Sequence, residues 1–293
     1  MKRLLLCAGL ACLFAAVNLA AQTPAVTIKC SDVNVSGATE TDSYAVNNNG
    51  VIAGDYIDSS SVQHGLILAH TTVKKFDGPS GSSLIAAYGI NKFNAVVGWY
   101  IDANGVTQGF EYANGKMHSV FVPNSTGTEP NGINDNGWIV GQYFDSTGVT
   151  HGFYWDTKKY HAVNVSGAPQ TFVWAINNAN LMTVNSETST GASMDGYTYD
   201  GKTFTKVDVP GATSTVAHGI NNKGDLDYTI FDSSGNRHGV IYQAATKVFT
   251  QFDDANGVNS TRADGINDTD AMVGRYSPTS GTPPNQGFRC VAQ

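Results

Sequence analysis

Cysteine is scarce in this 293-residue chain: there are four, at positions 7, 12, 30 and 290. The two late ones have no matching histidine pair, which argues against a structural zinc site. Positive charge is also scarce, with 17 Lys and Arg against 24 Asp and Glu. No basic run and no patch of interleaved basic and aromatic residues is present. Nucleic acid and anionic lipid are therefore poor candidate partners, because both are bound through clustered Lys and Arg. Good helix formers rarely cluster, and beyond the first residues no apolar run is long enough for a membrane-spanning helix. Standard catalytic signatures are missing too: there is no G-x-S-x-G elbow, P-loop, HExxH or EF-hand loop. No cofactor is implied.

What is present begins with an export signal. Lys2 and Arg3 precede a mostly apolar stretch from Leu4 to Val17, and Ala20-Ala21 offers a small-residue cleavage site before Gln22. This order fits a signal peptide over residues 1–21 better than a membrane anchor. The expected mature protein is a single domain over 22–293, secreted to the periplasm or beyond and not inserted in a membrane. Losing Lys2 and Arg3 leaves 15 basic against 24 acidic residues, a formal charge of −9.

The mature chain is rich in glycine, Thr, Val, Tyr, Asn and Ser, a composition that favours strands and turns. It is also periodic. A small residue, Ile or Val, and Asn recur as Ala45-Val46-Asn47, Gly89-Ile90-Asn91, Gly132-Ile133-Asn134, Ala175-Ile176-Asn177, Gly219-Ile220-Asn221 and Gly265-Ile266-Asn267. The asparagines are 44, 43, 43, 44 and 46 residues apart. After each comes a turn such as Asn47-Asn48-Asn49-Gly50, then a strand with Gly-x-Tyr (Gly54, Gly98, Gly141 and Gly274 begin the intact copies). A second turn leads into His64-Gly65-Leu66, Gln108-Gly109-Phe110, His151-Gly152-Phe153 or His238-Gly239-Val240. Four short strands per copy, six copies in all, predict an all-β six-bladed propeller of four-stranded antiparallel blades.

The pattern resembles the bacterial extracellular HAF-repeat family, whose His-Ala-Phe motif stands here as His-Gly-Phe at 151–153. The resemblance spans essentially the mature chain, with Gly in place of the motif's Ala. It implies a secreted repeat protein and no particular activity.

The sixth copy ends after Gln286 to Cys290 and lacks a last strand, while Thr27 to Cys30 supplies a strand with no repeat before it. The N-terminal strand is therefore expected to complete the last blade. In intact copies Tyr112 faces Met117, Trp155 faces Tyr160 and Tyr199 faces Phe204. By repeat alignment Cys290 and Cys30 take such opposed places, where Cβ atoms lie roughly 4.5–5.5 Å apart. A Cys30–Cys290 disulfide is expected to form in an oxidising compartment.

Recurring polar residues are best read as structural. His64, His151 and His238 share one repeat position, whereas catalysis needs a histidine once. The six core asparagines suit turns, through left-handed backbone and self-bonding side chains. Asp58, Asp102, Asp145 and Asp232 suit caps of the second turn, since one acid per loop does not make a calcium site. One position does not repeat. Three residues before each core Asn stand Tyr44, Tyr88, Asn131, Trp174, His218 and Asp264. At the start of the innermost strand, these six are the candidate ligand-binding residues of one axial pocket, suited to a sugar or small polar ligand.

The loops at 253–261 and 277–285 are the longest and are candidates for a rim. A secreted, monomeric binding module for carbohydrate or another cell-surface polymer is the expected function. An extracellular hydrolase or lyase using His218, Asp264 and Tyr44 is the rival reading, and a purely structural envelope protein the third.

Overall fold

A computed structural model of the protein describes residues 27–188, 191, 193–279 and 284–292. The expected signal peptide at 1–21 lies outside the described residues, as do positions 280–283 of the second long loop. The rest forms six four-stranded antiparallel sheets arranged as the blades of a propeller. Blades one to five are each continuous in sequence. Their innermost strands are Glu40–Val46, Leu84–Ile90, Gly127–Ile133, Thr171–Ile176 and Ser214–Ile220. The sixth blade runs inside to outside as Thr261–Ile266, Ala271–Tyr276, Gln286–Ala292 and then Ile28–Val33 from the other end of the chain.

That last pairing closes the ring as expected. Ile28–Val33 lies antiparallel to Gln286–Ala292, with Cys30 directly opposite Cys290, and the two are joined by a disulfide. The pairs used to infer it also stand opposite one another: Tyr112 and Met117, Trp155 and Tyr160, Tyr199 and Phe204.

Each seam between neighbouring blades is an apolar layer. Ala53, Ile67 and Phe76 of blade one pack with Ile85, Val96 and Phe110 of blade two, and equivalent layers fill the other seams. The glycine of His-Gly-x serves this packing. A Cβ at Gly65 or Gly239 would lie 2.5 Å from the ring of Phe76 or Phe252, which folds across it from the fourth strand. Even an Ala at these two positions would press its methyl group into that ring.

The core asparagines do more than shape turns. In every blade the Asn Oδ1 accepts from the backbone N–H groups two and four residues on, as Asn47 does from Asn49 and Val51 at 3.0 Å. Each Nδ2 then donates to the carbonyl of the next blade's core Asn: 47 to 91, 91 to 134, 134 to 177, 177 to 221, 221 to 267, and 267 back to 47, at 3.0–3.4 Å. The result is a closed annulus of six hydrogen bonds. One expectation needs correcting: the left-handed residue of the turn is not the core Asn. It sits three positions later, at Gly50, Asn94, Gly137, Asn180, Gly224 and Asp270. The Asn side chain bonds hold its own backbone at the strand end, so the reversal falls where the turn's carbonyl bond closes.

The second-turn aspartates cap as expected. Asp58, Asp102, Asp145 and Asp232 each accept through Oδ1 from the N–H groups two and four residues on. Their Oδ2 atoms meet His64, Gln108, His151 and His238 at 3.0–3.5 Å. The other ring nitrogen of each histidine meets Asp77, Asn164 or Asp253. These three histidines are ties within a blade's outer face.

Candidate axial site

The innermost strand of every blade carries a β-bulge, and the bulge falls on the variable position. Pairing with the second strand skips between Ser43 and Ala45, Ala87 and Gly89, Pro130 and Gly132, Val173 and Ala175, Ala217 and Ile220, and Ala263 and Gly265. The skipped residues are Tyr44, Tyr88, Asn131, Trp174, His218 (with Gly219) and Asp264. A bulge releases a residue from the alternation that would otherwise point it into a blade seam. All six side chains line one axial cavity of about 90 Å³, large enough for several water molecules.

The small residues that follow, Ala45, Gly89, Gly132, Ala175, Gly219 and Gly265, line the same cavity and leave it open space. At the four glycines the neighbouring blade leaves no room for a side chain: a Cβ at Gly132 would lie 2.8 Å from the Trp174 carbonyl. Below them, Val46, Ile90, Ile133, Ile176, Ile220 and Ile266 line both this cavity and a polar one at the other end of the axis. This apolar ring divides the channel, so the two ends are chemically separate.

Behind the six residues stands a second variable set that the sequence reading missed. The middle residue of Gly-x-Tyr, or its equivalent, is Asp55, Trp99, Gln142, Asn185, Thr229 or Arg275. Its signal was available, since unlike residues sit between two recurring ones. These residues hold the first set in place. The Asn131 amide donates to Gln142 Oε1 at 3.0 Å, and Gln142 donates to Glu129. Asn185 exchanges two bonds with the backbone of Ala217, one residue before His218. Arg275, Tyr44, Tyr88 and Trp99 form a stack: guanidinium over ring at 4.7 Å, then ring centroids 4.3 and 6.0 Å apart. Trp174 meets the edge of this stack at Tyr88 and continues to His218 at 4.9 Å.

The wall is thus aromatic over blades one, two and four and ionisable over blades five, six and one. Asp42, Asp55, Asp227 and Asp264 are buried there beside Arg275 and the largely buried Arg262. Burial raises the pKa of all four carboxyls, only partly opposed for Asp42, Asp55 and Asp264 by Arg275. Asp227, which accepts from the Gly219 N–H, is pushed up to about 8. Burial, helped by Arg275 and Arg262, drives His218 down to about 3, so its imidazole is neutral at physiological pH. Trp174 Nε1 and Asp264 Oδ2 are buried with no hydrogen-bond partner, although both residues line the cavity.

The acid–base grouping of the rival reading is not assembled. His218 Nδ1 lies 3.7 Å from Asp264 Oδ1, beyond hydrogen-bond distance. The Tyr44 hydroxyl donates to Asp42 rather than to either of them. Of the two proposed rim loops, 253–261 is tied internally by a bond from Gly257 N–H to the Asp254 carbonyl and to the second loop by one from Val258 N–H to the Ser277 carbonyl. No group of His, Cys, Asp and Glu suited to a metal ion occurs among the described residues.

No protein-family model and no curated protein matches the chain in sequence. Solved structures do match in shape. SapL1 lectin in complex with α-methyl fucoside superposes with a TM-score of 0.56 at 8% identity, covering 87% of this chain and 95% of that one. A catalytically inactive virginiamycin B lyase from Staphylococcus aureus, solved with quinupristin, gives 0.54 at 12% identity over 90% and 99%. An Aleuria aurantia lectin variant in complex with Fucα1-6GlcNAc gives 0.52 at 11% over 86% and 93%. At such identities these likenesses concern the fold: the chain is built as a β-propeller.

Proposed function

We propose that the protein is a secreted binding module that takes a carbohydrate, or the tip of a surface polymer built of sugars, into the axial cavity. One observation carries the reading. Six side chains of five different kinds occupy the one bulged position that every blade repeats, and they converge on a single cavity while the recurring residues around them maintain the fold. Aromatic surface on one arc and hydrogen-bonding groups on the other suit the two kinds of face a sugar offers. About 90 Å³ suits one ring's substituents rather than an oligosaccharide buried along its length.

The lectin neighbours are compatible with this reading and lend it their fold only. A Cys30–Cys290 disulfide agrees with an oxidising, extracytoplasmic location, and the His-Gly-Phe repeat with a place among the HAF-repeat proteins. The test is a broad glycan array with the wild-type protein and Trp174→Ala. Binding weakened at least tenfold in the variant, with an unchanged far-ultraviolet spectrum, is the expected result. No glycan bound by the wild type would sink the proposal.

A further inference from the structure

Resting on that reading, we infer that the sugar which fits the cavity carries a free, protonated amine, and that Asp264 receives it. The chemical class is a de-N-acetylated hexosamine or a polymer ending in one.

Buried acidic groups outnumber buried basic ones beside the cavity, and in the empty site protons retained by Asp55 and Asp227 offset the difference. Four carboxyl groups, those of Asp42, Asp55, Asp227 and Asp264, are enclosed around blades five, six and one. Two guanidinium groups, Arg275 and Arg262, stand among them. His218 adds no positive charge, because it is held neutral. Buried carboxylates are costly unless paired and hydrogen-bonded. Arg275 spreads over two of them, 3.8 Å from Asp42 Oδ1 and 3.8 Å from Asp264 Oδ1, and neither contact is short enough for a hydrogen bond.

A second observation points to where a cation entering the cavity would exchange with a carboxyl proton. Of the four carboxyl groups, only Asp264 lines the cavity. Its side chain is 4% exposed, and its Oδ2 has no hydrogen-bond partner. An ammonium group has three N–H donors and no acceptor, so it satisfies that oxygen and supplies the counter-charge in one contact. A hydroxyl at the same place supplies the hydrogen bond alone. Charge-assisted bonds are about twice as strong as neutral ones, so the gain over a neutral sugar is selective. The neighbouring Trp174 Nε1–H is a donor without an acceptor, and a hydroxyl beside the amine would occupy it.

The groups facing Asp264 set the pH dependence. Arg275 and Arg262 favour its ionised form, while burial disfavours it more. His218 Nδ1, 3.7 Å from Asp264 Oδ1, is neutral across this range, and the Asp264 charge helps to raise Asp227. In the empty site Asp264 therefore retains its proton to a higher pH than an exposed aspartate. Binding an ammonium requires losing that proton, so affinity for the amine rises with pH across the acid range while affinity for a neutral sugar does not.

The experiment is titration calorimetry with glucosamine, N-acetylglucosamine and glucose at several pH values from 4 to 6.5, on wild type and Asp264→Asn. Glucosamine is expected to bind at least tenfold tighter than the two neutral sugars, more so at the upper pH. Asp264→Asn should abolish that preference and the pH trend. Should the variant misfold, the wild-type selectivity and pH trend alone decide the matter. Equal or tighter binding of the neutral sugars overturns the amine and leaves the binding-module reading standing. A silent array across all glycans removes both.

Discussion

At the scale of single residues, the site and the scaffold are separated by whether a position repeats. Asn47 and its five equivalents are nearly unexposed and fully bonded, and they were legible as fold-keeping residues because they recur. Tyr44, Trp174 and their equivalents were legible as a set because they differ. Their aim at the axis was not, since it follows from a bulge, and no turn residue or spacing announces one. The buried acids were invisible for another reason: Asp42 and Asp55 face each other within one hairpin, but Asp227 and Asp264 lie in blades five and six, and only the folded ring brings all four together. Asp227 provides a test. Its folded carboxyl holds a proton up to about pH 8, which the unfolded chain loses near the ordinary aspartate value. The folded state therefore binds more protons than the unfolded one between those limits, and stability present below about pH 4 is lost as pH rises toward 8. Asp227→Asn, which can still accept from the Gly219 N–H, should flatten that decline. Thermal melts should show the variant gaining about 1–3 kcal/mol over wild type at pH 8.5 and little at pH 4. A wild-type melting temperature independent of pH would contradict this account.

At the scale of strands, the bulge and the glycine of Gly-x-Tyr belong together. Where the innermost strand bends out of register, a carbonyl of that strand leans over the second strand. An added Cβ at Gly54, Gly98 or Gly274 would sit 1.9 Å from it. The obstacle is backbone, so it cannot rotate away. Gly98→Ala should therefore cost about 2–3 kcal/mol, read as a lowered urea midpoint, and should also disturb the cavity wall through Trp99, the next residue. An unchanged midpoint would show that the bulge can relax. Blades four and five have Val184 and Tyr228 at the equivalent place, both fully buried in blade seams. The sequence showed these departures, and nothing in them alone disclosed that their side chains would fill a seam. The strand count, the turns and the pairing of Tyr112 with Met117 were all legible, because they depend on local alternation and turn chemistry.

At the scale of the whole molecule, two closures act at different radii. Near the axis, the asparagine annulus joins all six blades without a gap. At the circumference, the disulfide fastens the one blade assembled from distant segments, 260 residues apart. In the chain-entropy view a loop of this length contributes up to about 5 kcal/mol. Reduction, or Cys30→Ser with Cys290→Ser, should lower the melting temperature without opening the ring, because strand pairing and the annulus remain. Loss of the folded spectrum at 25 °C on reduction would mean that the covalent clasp, and not the annulus, holds the circle. The position of the clasp also decides how the molecule can be held. Ile28–Val33 is the outermost strand of its blade, so the described chain begins at the rim, away from the central axis. Anything tethered there would carry the disc edge-on, leaving both of its flat faces, and the cavity in one of them, unobstructed toward the surroundings.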